Sequence, residues 1–457
     1  MIKSINPATG AVLKEYKPHD KAAIDSALTA AAKAQRAWGR TPLAERLPLL
    51  KQIARVLREN KKHYSELISL EMGKPIAEAE GEIEKCAWTC DVYAEMAPKY
   101  LAPDIVDSNA SYSEVVYDPL GVVLAVMPWN YPFWQFFRFA IPAFAAGNGA
   151  ILKHASNVPQ CAVAIEEVVR KAGAPDGLMA TLLISASEVA ALIGDDRIAA
   201  VTLTGSTEVG SLVAAEAGKH LKKQVLELGG SDPFIVLADA DIDAAAQTAA
   251  KARFQNVGQS CIAAKRFIVE SSVIDKFSDA LCGHVKKMVV GDPLDRKTTI
   301  GPMARANLRD DLHDQVQRSI KAGARLRMGG TIENNQGAFY PPTVLDNVAP
   351  DMAAFDEETF GPVAAIVRAD SADHAIELAN RTEYGLGAAL WTGDTKRGRE
   401  LAHRIEAGAV FINGMVASDA RLPFGGVKKS GYGRELGAYG IKEFTNTKTI
   451  WVGPVKA

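Results

Sequence analysis

The spacing of hydrophobic positions in this chain changes near residue 119. Before it, apolar residues lie three and four positions apart in KAAIDSALTAAAKAQRAW (21–38) and PLAERLPLLKQIARVLREN (42–60), which predicts amphipathic helices. After it, short apolar runs alternate with helical segments. These runs are GVVLAVM (121–127), GAILK (149–153), LMATLLI (178–184), AAVTLTG (199–205) and QVLELGG (224–230). Continuous apolar strands separated by helices are typical of a parallel sheet covered on both faces.

A second alternation of the same kind begins near residue 230. Its helical segments lie at 242–255 and from about 275. Its apolar runs are PFIVLAD (233–239), RFIVES (266–271), AAIVR (364–368), AALWT (388–392) and AVFIN (409–413). Two such series predict two doubly wound α/β domains, one formed by residues 1–110 and 120–229 and the other by residues 230–425.

Two further segments alternate polar and apolar residues, as half-exposed strands do. They are SYSEVVYDP (111–119) and KEFTNTKTIWV (442–452). Strands outside the main pattern can cover an exposed sheet edge by pairing across subunits. We therefore predict oligomerisation strands at 111–119 and 440–455, in a homodimer or a dimer of dimers.

The charge and the hydrophobic composition of the chain argue against nucleic acids and membranes as partners. The chain has 457 residues, with 52 basic and 54 acidic side chains and a net charge of -2, so it lacks the basic field of a nucleic-acid-binding protein. The most apolar stretch, 119–137, contains three prolines, which predicts a buried strand, a loop and a helix start instead of a membrane span. The N-terminal sequence shows no secretory or transit pattern, so we expect a cytoplasmic protein.

The five cysteines favour a reactive thiol over a disulfide framework, since their number is odd in a large chain. Cys86 and Cys90 stand at helical spacing without histidine partners, so we expect helix packing there and no metal. Cys261 lies in a glycine-containing loop just before an apolar run, in FQNVGQSCIAAKRFIV. A cysteine nucleophile reacts as the thiolate. Taken alone, a buried structural thiol is the commoner interpretation.

Two polar residues interrupt apolar surroundings elsewhere. Glu227 ends a strand-like run just ahead of two glycines, with one leucine between, in LELGGSDPFIV, which suits a general base with a raised pKa. A solvated glutamate at a strand end is the alternative. Asn130 lies in the proline-bounded VMPWNYPFWQFF, where its amide could donate to an oxyanion or simply form a turn.

A candidate anion site follows the run that ends in TLTGSTEVGS (202–211). The backbone N–H groups at the predicted helix start, together with the Ser206 hydroxyl, can hold a pyrophosphate. The chain contains no complete GxGxxG motif, so this pattern is weak in isolation.

Together, these motifs resemble the aldehyde dehydrogenase superfamily over essentially the whole chain. PWN, TGSxxxG, ELGG and the GQxC loop occur in the family's order and spacing, joined by EETFGPV (357–363) and LPFGGVKKSGYGRE (422–435). The resemblance implies an aldehyde dehydrogenase-like α/β fold, with a dinucleotide-binding domain first, a catalytic domain second and a small β element for oligomerisation. The family's dinucleotide domain also lacks GxGxxG.

The resemblance implies specific roles for the residues already singled out. Cys261 would be the nucleophile, Glu227 the general base and Asn130 the oxyanion donor. The implied reaction is the NAD(P)-dependent oxidation of an aldehyde to a carboxylic acid through a cysteine thioester. The implied cofactor-binding residues are Trp129, Lys153, Ser156, Gly205, Ser206, Glu358 and Phe360.

Cofactor choice depends on the position three residues after Lys153. NAD-preferring members of the family carry a glutamate there, which contacts the adenosine ribose hydroxyls. Here the residue is Ser156, so no carboxylate repels a 2′-phosphate and Lys153 could pair with it. We therefore expect the cofactor to be NADP or NAD.

Within the superfamily, the stretches 153–162, 226–236 and 417–431 look closest to the shorter bacterial succinate semialdehyde dehydrogenases. Arg138, in the apolar FWQFFRFAIP, should meet an anion, either a substrate carboxylate or an internal acid. Ser418 matches the position from which that branch's substrate receives a hydrogen bond. The expected reaction is therefore succinate semialdehyde to succinate, and a broad-specificity aldehyde dehydrogenase is the alternative.

Overall fold

The computed structural model describes residues 1–332 and 337–453. The strands are β1 (Ile2–Ile5), β2 (Val12–Tyr16), β3 (Asp104–Ile105), β4 (Tyr112–Pro119), β5 (Val122–Met127), β6 (Gly149–His154), β7 (Met179–Thr181), β8 (Ile198–Thr204), β9 (Lys223–Glu227), β10 (Asp232–Val236), β11 (Ala264–Glu270), β12 (Arg325–Met328), β13 (Thr343–Val348), β14 (Val363–Ala369), β15 (Gly387–Trp391), β16 (Ala409–Ile412), β17 (Gly431–Tyr432) and β18 (Thr445–Val452). The helices are α1 (Lys21–Trp38), α2 (Leu43–Glu59), α3 (Lys61–Met72), α4 (Ile76–Tyr100), α5 (Pro132–Ala146), α6 (Pro159–Lys171), α7 (Val189–Gly194), α8 (Thr207–Lys219), α9 (Ile242–Phe254), α10 (Ile274–Val285), α11 (Ala306–Lys321), α12 (Ala353–Asp356), α13 (Ala372–Asn380), α14 (Thr395–Ala402) and α15 (Gly437–Glu443).

The first sheet has the order β17-β9-β8-β5-β6-β7, and all its strands are parallel except β17. Alternate residues of β5 enter different cores: Val123 and Ala125 pack with α4 and α5, and Val122 and Leu124 pack with α1 and α7. Both faces are therefore buried. This explains why the sequence of β5 is continuously apolar.

The second sheet has the order β12-β13-β14-β11-β10-β15-β16, with β12 antiparallel and the rest parallel. The chain passes from the first sheet to the second through residues 228–231, because β9 ends at Glu227 and β10 begins at Asp232. The carboxyl end of β9 and the amino end of β11 are thereby brought to one region between the two sheets. The candidate chemistry lies in this region.

A third, antiparallel sheet has the order β18-β4-β3. The two strands predicted from polar–apolar alternation pair with each other within the chain, from Thr445 opposite Pro119 to Val452 opposite Tyr112. The free edge of β18 leaves pairing across subunits as a prediction. Residues 454 and 455 of the predicted segment 440–455 lie outside the described residues.

Several elements differ from the sequence-based expectation. The predicted strand 178–184 is reduced to β7, and residues 442–443 belong to α15 instead of a strand. After β16 the chain returns to the first sheet, where β17 pairs with β9, and Leu436 and Phe444 join the core around α5. The domain boundaries stay a prediction. Among residues 1–332 and 337–453, no helix combines the length and apolar character needed to cross a membrane.

Candidate active site

Cys261 lies in a loop with an unusual backbone, between α9 and β11. Asn256, Val257 and Gly258 have φ values of 53°, 58° and 70°, in the left-handed region that residues other than Gly and Asn rarely adopt. A Cβ atom at position 258 would overlap the carbonyl oxygen of Gly361. The loop therefore requires glycine at this position, and such strain is typical of functional sites.

Hydrogen bonds hold the loop in this conformation. Asn256 Nδ2 donates to the carbonyl oxygens of Asn130 at 2.8 Å and Gln259 at 3.1 Å. The backbone N–H of Ala304 donates to Gln259 Oε1 at 2.9 Å. Cys261 is thus presented by a loop fixed to both domains, which favours a defined position for the thiol.

The thiol of Cys261 is partly exposed but is surrounded mostly by protein. Burial raises the pKa of Cys261 to about 12, while the charges of Arg138 and Lys265 act in the opposite direction. The Lys265 ammonium donates to the Cys261 carbonyl oxygen at 2.9 Å. In the free protein the thiol is therefore protonated at neutral pH, and nucleophilic attack requires a nearby proton acceptor.

Glu227 ends β9 and is 1% exposed. Among the described residues, neither of its carboxylate oxygens has a hydrogen-bond partner. Burial raises the pKa of Glu227 well above its ordinary value, with the Arg138 charge partly opposing the shift, and Glu227 in turn affects the Cys261 thiol through its charge. A buried carboxylate that has no hydrogen-bond partner and whose charge acts on the thiol is suited to accepting a proton.

Asn130 precedes α5 and is 4% exposed. Its Nδ2 donates to the carbonyl oxygen of Gln259 at 3.1 Å, and its Oδ1 has no partner in the described part of the chain. An amide nitrogen carries two hydrogens, so one is left for an oxyanion at Cys261. The structure therefore brings Cys261, Glu227 and Asn130 into one region, as expected.

The glycine pair after Glu227 permits the close approach of the two domains. A Cβ atom at Gly230 would lie 2.6 Å from the Cys261 carbonyl oxygen, and one at Gly229 would lie 2.7 Å from Glu358 Oε2. Any side chain at either position would push these groups apart. The backbone N–H of Gly230 instead donates to Glu358 Oε1 at 3.0 Å.

Lys265 was not identified from the sequence, yet it organises this region. Its buried ammonium lies 3.3 Å from Glu358 Oε1 and 6.0 Å from the centre of the Phe360 ring. The Trp129 ring meets Phe360 edge-on, with centroids 5.8 Å apart. Two predicted cofactor-binding residues thus lie near the lysine, and a third, Trp129, packs against one of them. The sequence signal for Lys265 was a charge in the apolar run CIAAKRFIV.

A separate cavity of about 820 Å³ contains Lys153 and Ser156, the residues predicted at the adenosine end of the cofactor. Lys153 is 9% exposed, and burial lowers its pKa. Arg305 also lines this cavity. A buried cation favours an anionic ligand, so these side chains fit a phosphate-bearing cofactor.

Gly205 and Ser206 connect β8 to α8. Ser206 is the N-cap of α8, and its hydroxyl accepts a hydrogen bond from the N–H of Val209 at 3.4 Å. The amino end of a 13-residue helix attracts anions through its free N–H groups and its dipole. This geometry matches the predicted pyrophosphate site, whose occupancy stays a prediction.

A cavity of about 560 Å³ is lined by Cys261, Arg138 and Ser418. Arg138, 2% exposed, forms an ion pair with Glu435 and donates to Thr204 Oγ1 at 3.2 Å. The sequence predicted either a substrate carboxylate or an internal acid as the partner of Arg138, and Glu435 is such an internal acid. The substrate-binding roles of Arg138 and Ser418 stay predictions.

Lys85, on α4, lines the same cavity and was not identified from the sequence. Its Nζ donates to Ser418 Oγ at 2.7 Å and lies 4.3 Å from the centre of the Trp134 ring. The sequence predicts helix packing for Cys86 and Cys90, and both are buried on α4. Only the tertiary structure shows that Lys85, which precedes Cys86 in the same helix, faces the cavity.

Comparison with known proteins agrees with this site. The aldehyde dehydrogenase family model matches residues 1–450, so the chain belongs to the aldehyde dehydrogenase family. This finding confirms the family, the enzyme class and the α/β fold that the motifs implied.

Comparison with individual proteins gives closer matches than the family as a whole. The chain is 49% identical over 451 residues, 99% of each sequence, to a probable succinate-semialdehyde dehydrogenase (NADP(+)) of Synechocystis sp.. It is 49% identical to the succinate semialdehyde dehydrogenase (NAD(P)+) Sad of Escherichia coli, covering 98% of this chain and 97% of the relative. The crystal structure of succinic semialdehyde dehydrogenase from Streptococcus pyogenes in complex with NADP+ matches with a TM-score of 0.97 and 38% identity, over 99% of this chain and 100% of that one.

Proposed function

We propose that this protein oxidises succinate semialdehyde to succinate with NADP or NAD, through a thioester on Cys261. The observation that carries the proposal is a single cavity lined both by the Cys261 thiol and by basic side chains with the Ser418 hydroxyl. An aldehyde with a carboxylate at its far end matches both kinds of group. The names of the relatives support the same substrate.

The residues of the chain define the order of events. Glu227 accepts the thiol proton, and the Cys261 thiolate attacks the aldehyde carbon. The amide of Asn130 and the backbone N–H of Cys261 donate to the oxyanion that forms. A bound nicotinamide cofactor supplies the hydride acceptor. Glu227 releases the first proton to solvent and then takes a proton from the water that hydrolyses the thioester, so that the acid is released and Cys261 leaves as the thiolate.

The chain offers partners along the whole length of such a cofactor. Lys153 and Ser156 would hold the adenosine end, Ser206 and the amino end of α8 the pyrophosphate, and Glu358 with Phe360 the nicotinamide ribose. The absence of a carboxylate at position 156 leaves Lys153 free to pair with a 2′-phosphate. We therefore propose that NADP is accepted at least as well as NAD.

The free cysteines support a proposal on the cellular compartment, and the third sheet supports one on the oligomeric state. The five cysteines are all unpaired in the structure, which suits a reducing compartment such as the cytoplasm. The exposed edge of β18 is suited to pairing with a second copy, which supports a homodimer or a dimer of dimers.

A panel of aldehydes tests the proposed substrate. We would measure kcat/KM for succinate semialdehyde, its amide analogue 4-oxobutanamide, pentanal and benzaldehyde, each with NADP and NAD. A charge-assisted contact to the carboxylate should favour succinate semialdehyde about ten- to a hundred-fold over its amide. Equal values for charged and uncharged aldehydes would support the broad-specificity alternative instead.

A further inference from the structure

Lys85 presents an unusual charge to the cavity that contains Cys261. It lies within α4, where the flanking Cys86 is fully buried, and its ammonium faces the cavity beside Ser418 and Trp134. Burial lowers the pKa of Lys85 to about 8, with the Arg138 charge acting in the same direction. The surroundings thus disfavour the charged form of a side chain that points at the reaction site.

The neighbouring charges are already paired with one another. Glu82 on the same helix pairs with Lys74. Arg138 on α5 pairs with Glu435. Within the described residues, no carboxylate lies within 4 Å of the Lys85 ammonium.

The remaining neighbours do not neutralise Lys85 either. Asp419 pairs with Arg421, with 2.7 Å between Asp419 Oδ2 and Arg421 Nη2. Glu82 accepts additional backbone N–H bonds from Phe133 at 2.9 Å and Trp134 at 3.0 Å. The thiol of Cys86 has a pKa raised well above its ordinary value by burial, so it stays neutral. Glu78 also lines the cavity, where it accepts a hydrogen bond from the Asn256 N–H at 2.6 Å. Lys85 is therefore a partly buried cation that faces the cavity with no carboxylate of the described residues within ion-pair distance.

We propose that Lys85, together with Ser418, binds the carboxylate of the substrate and determines the preference for an anionic aldehyde. The Ser418 oxygen accepts a hydrogen bond from Lys85, so its own proton is available to a carboxylate oxygen. The ammonium has two further N–H groups for the same anion. Arg138 lines the cavity too, but its charge is matched by Glu435. This assignment rests on the proposed function, because it presumes a substrate that carries a carboxylate.

Substitution of Lys85 tests the assignment directly. Lys85→Met keeps most of the apolar stem and removes the charge, and it should raise the KM for succinate semialdehyde about ten- to a hundred-fold. The KM for 4-oxobutanamide should change much less. Lys85→Arg should recover most of the preference. Lys99→Met removes an exposed charge from the same helix outside the cavity and should leave the ratio of the two substrates as in the wild type.

The pH dependence provides a second measurement that needs no destabilised variant. The charged form of Lys85 is lost as pH rises through about 8. The ratio of kcat/KM for succinate semialdehyde to that for 4-oxobutanamide should therefore fall above this pH, and the titrations of Cys261 and Glu227 cancel in the ratio. Glu78 lines the same cavity, and burial raises its pKa to about 7, so its titration is present in the wild type and in Lys85→Arg alike and the comparison of the two removes it. In Lys85→Arg, which stays charged, the ratio should stay level across the same range.

The outcomes separate this assignment from the proposed function. A wild-type enzyme without preference for succinate semialdehyde over 4-oxobutanamide would overturn the proposed function and the role of Lys85 with it. A clear wild-type preference that persists in Lys85→Met, or a ratio that is level with pH in the wild type, would overturn only the role of Lys85. If Lys85→Met does not fold, the wild-type and Lys85→Arg pH ratios decide.

Discussion

Single residues in this site gain their chemistry from burial combined with a specific neighbour. Cys261 and Glu227 both have raised pKa values because protein replaces water around them. Both groups therefore hold their protons more tightly than in water, and attack by Cys261 requires the ionised form of Glu227 as the proton acceptor. Ser156 is the converse case, since we propose that the absence of a charge at that position favours NADP.

Ser156→Glu should convert the enzyme to an NAD-preferring one. The new carboxylate would stand beside the 2′-phosphate of NADP, and like charges at such a distance should raise the KM for NADP about ten- to a hundred-fold. The KM for NAD should change little. Ser156→Gln introduces a side chain of the same size as glutamate but without its charge, so it serves as the control. Equal effects of Gln and Glu would mean that size, not charge, sets cofactor choice.

Residue-level prediction from the sequence rested on short local motifs, and the catalytic roles that it assigns stay predictions. Cys261, Glu227 and Asn130 each stand in such a motif, and the structure brings them together. Lys85 and Lys265 were missed because their partners, Ser418 and Glu358, are distant in the sequence. A lysine in a helical pattern ordinarily indicates a solvated face, and only packing shows otherwise.

At the level of elements, α5 is joined to the return segment of the chain by a buried ion pair. Arg138 on α5 pairs with Glu435, which precedes α15, and both are at most 3% exposed. The Arg138 guanidinium also lies 4.7 Å from the centre of the Phe424 ring. An ion pair of this kind holds one wall of the cavity in place. Removing one of its two members leaves the other charge buried without a partner.

Arg138→Ala should lower the melting temperature, because it leaves Glu435 buried without its partner. Breaking one member of a buried pair costs about 3–5 kcal/mol. The double variant Arg138→Met with Glu435→Leu removes both charges and should recover most of that loss. Thermal unfolding of the three proteins provides the comparison. An unchanged melting temperature in Arg138→Ala would show that the pair does not support the fold, and would return Arg138 to the substrate as its main partner.

The elements that the sequence failed to predict are short or polar. β17 has only two residues, so it has no periodicity to detect, and β12 and β13 read RLRM and TVLDNV, where charged and polar residues interrupt the apolar pattern. By contrast, α1 begins and ends at the predicted residues 21 and 38, since its pattern extends over five turns of helix. Long periodic segments therefore predicted structure best.

For the molecule as a whole, the third sheet exposes apolar side chains that a second copy could cover. Ile105 is 67% exposed and Trp451 is 51% exposed. Exposed apolar groups on an open sheet edge favour association. The exact arrangement of the partner depends on surfaces that the sequence pattern of one chain does not specify.

Trp451→Lys should therefore weaken the assembly. Light scattering after size-exclusion chromatography should show a smaller mass than that of the wild type, because a charge would be buried at the predicted interface. Leu221→Lys, which changes an exposed apolar residue on the first domain, should leave the mass as in the wild type. If both variants and the wild type have the same mass, β18 does not carry the interface.

The central claim, a thioester on Cys261 that Glu227 resolves, is tested most directly in Glu227→Gln mixed with succinate semialdehyde and NADP. This variant lacks the acceptor for the thiol proton, so acylation should be slow, and since hydrolysis also needs the carboxylate, NADPH should appear in a single slow phase of one per active site and then stop. Rapid acid quench and peptide mass spectrometry should find a succinyl group on the peptide that contains Cys261, and none in Cys261→Ala. Continued turnover at the wild-type rate without an adduct on Cys261 would contradict the account.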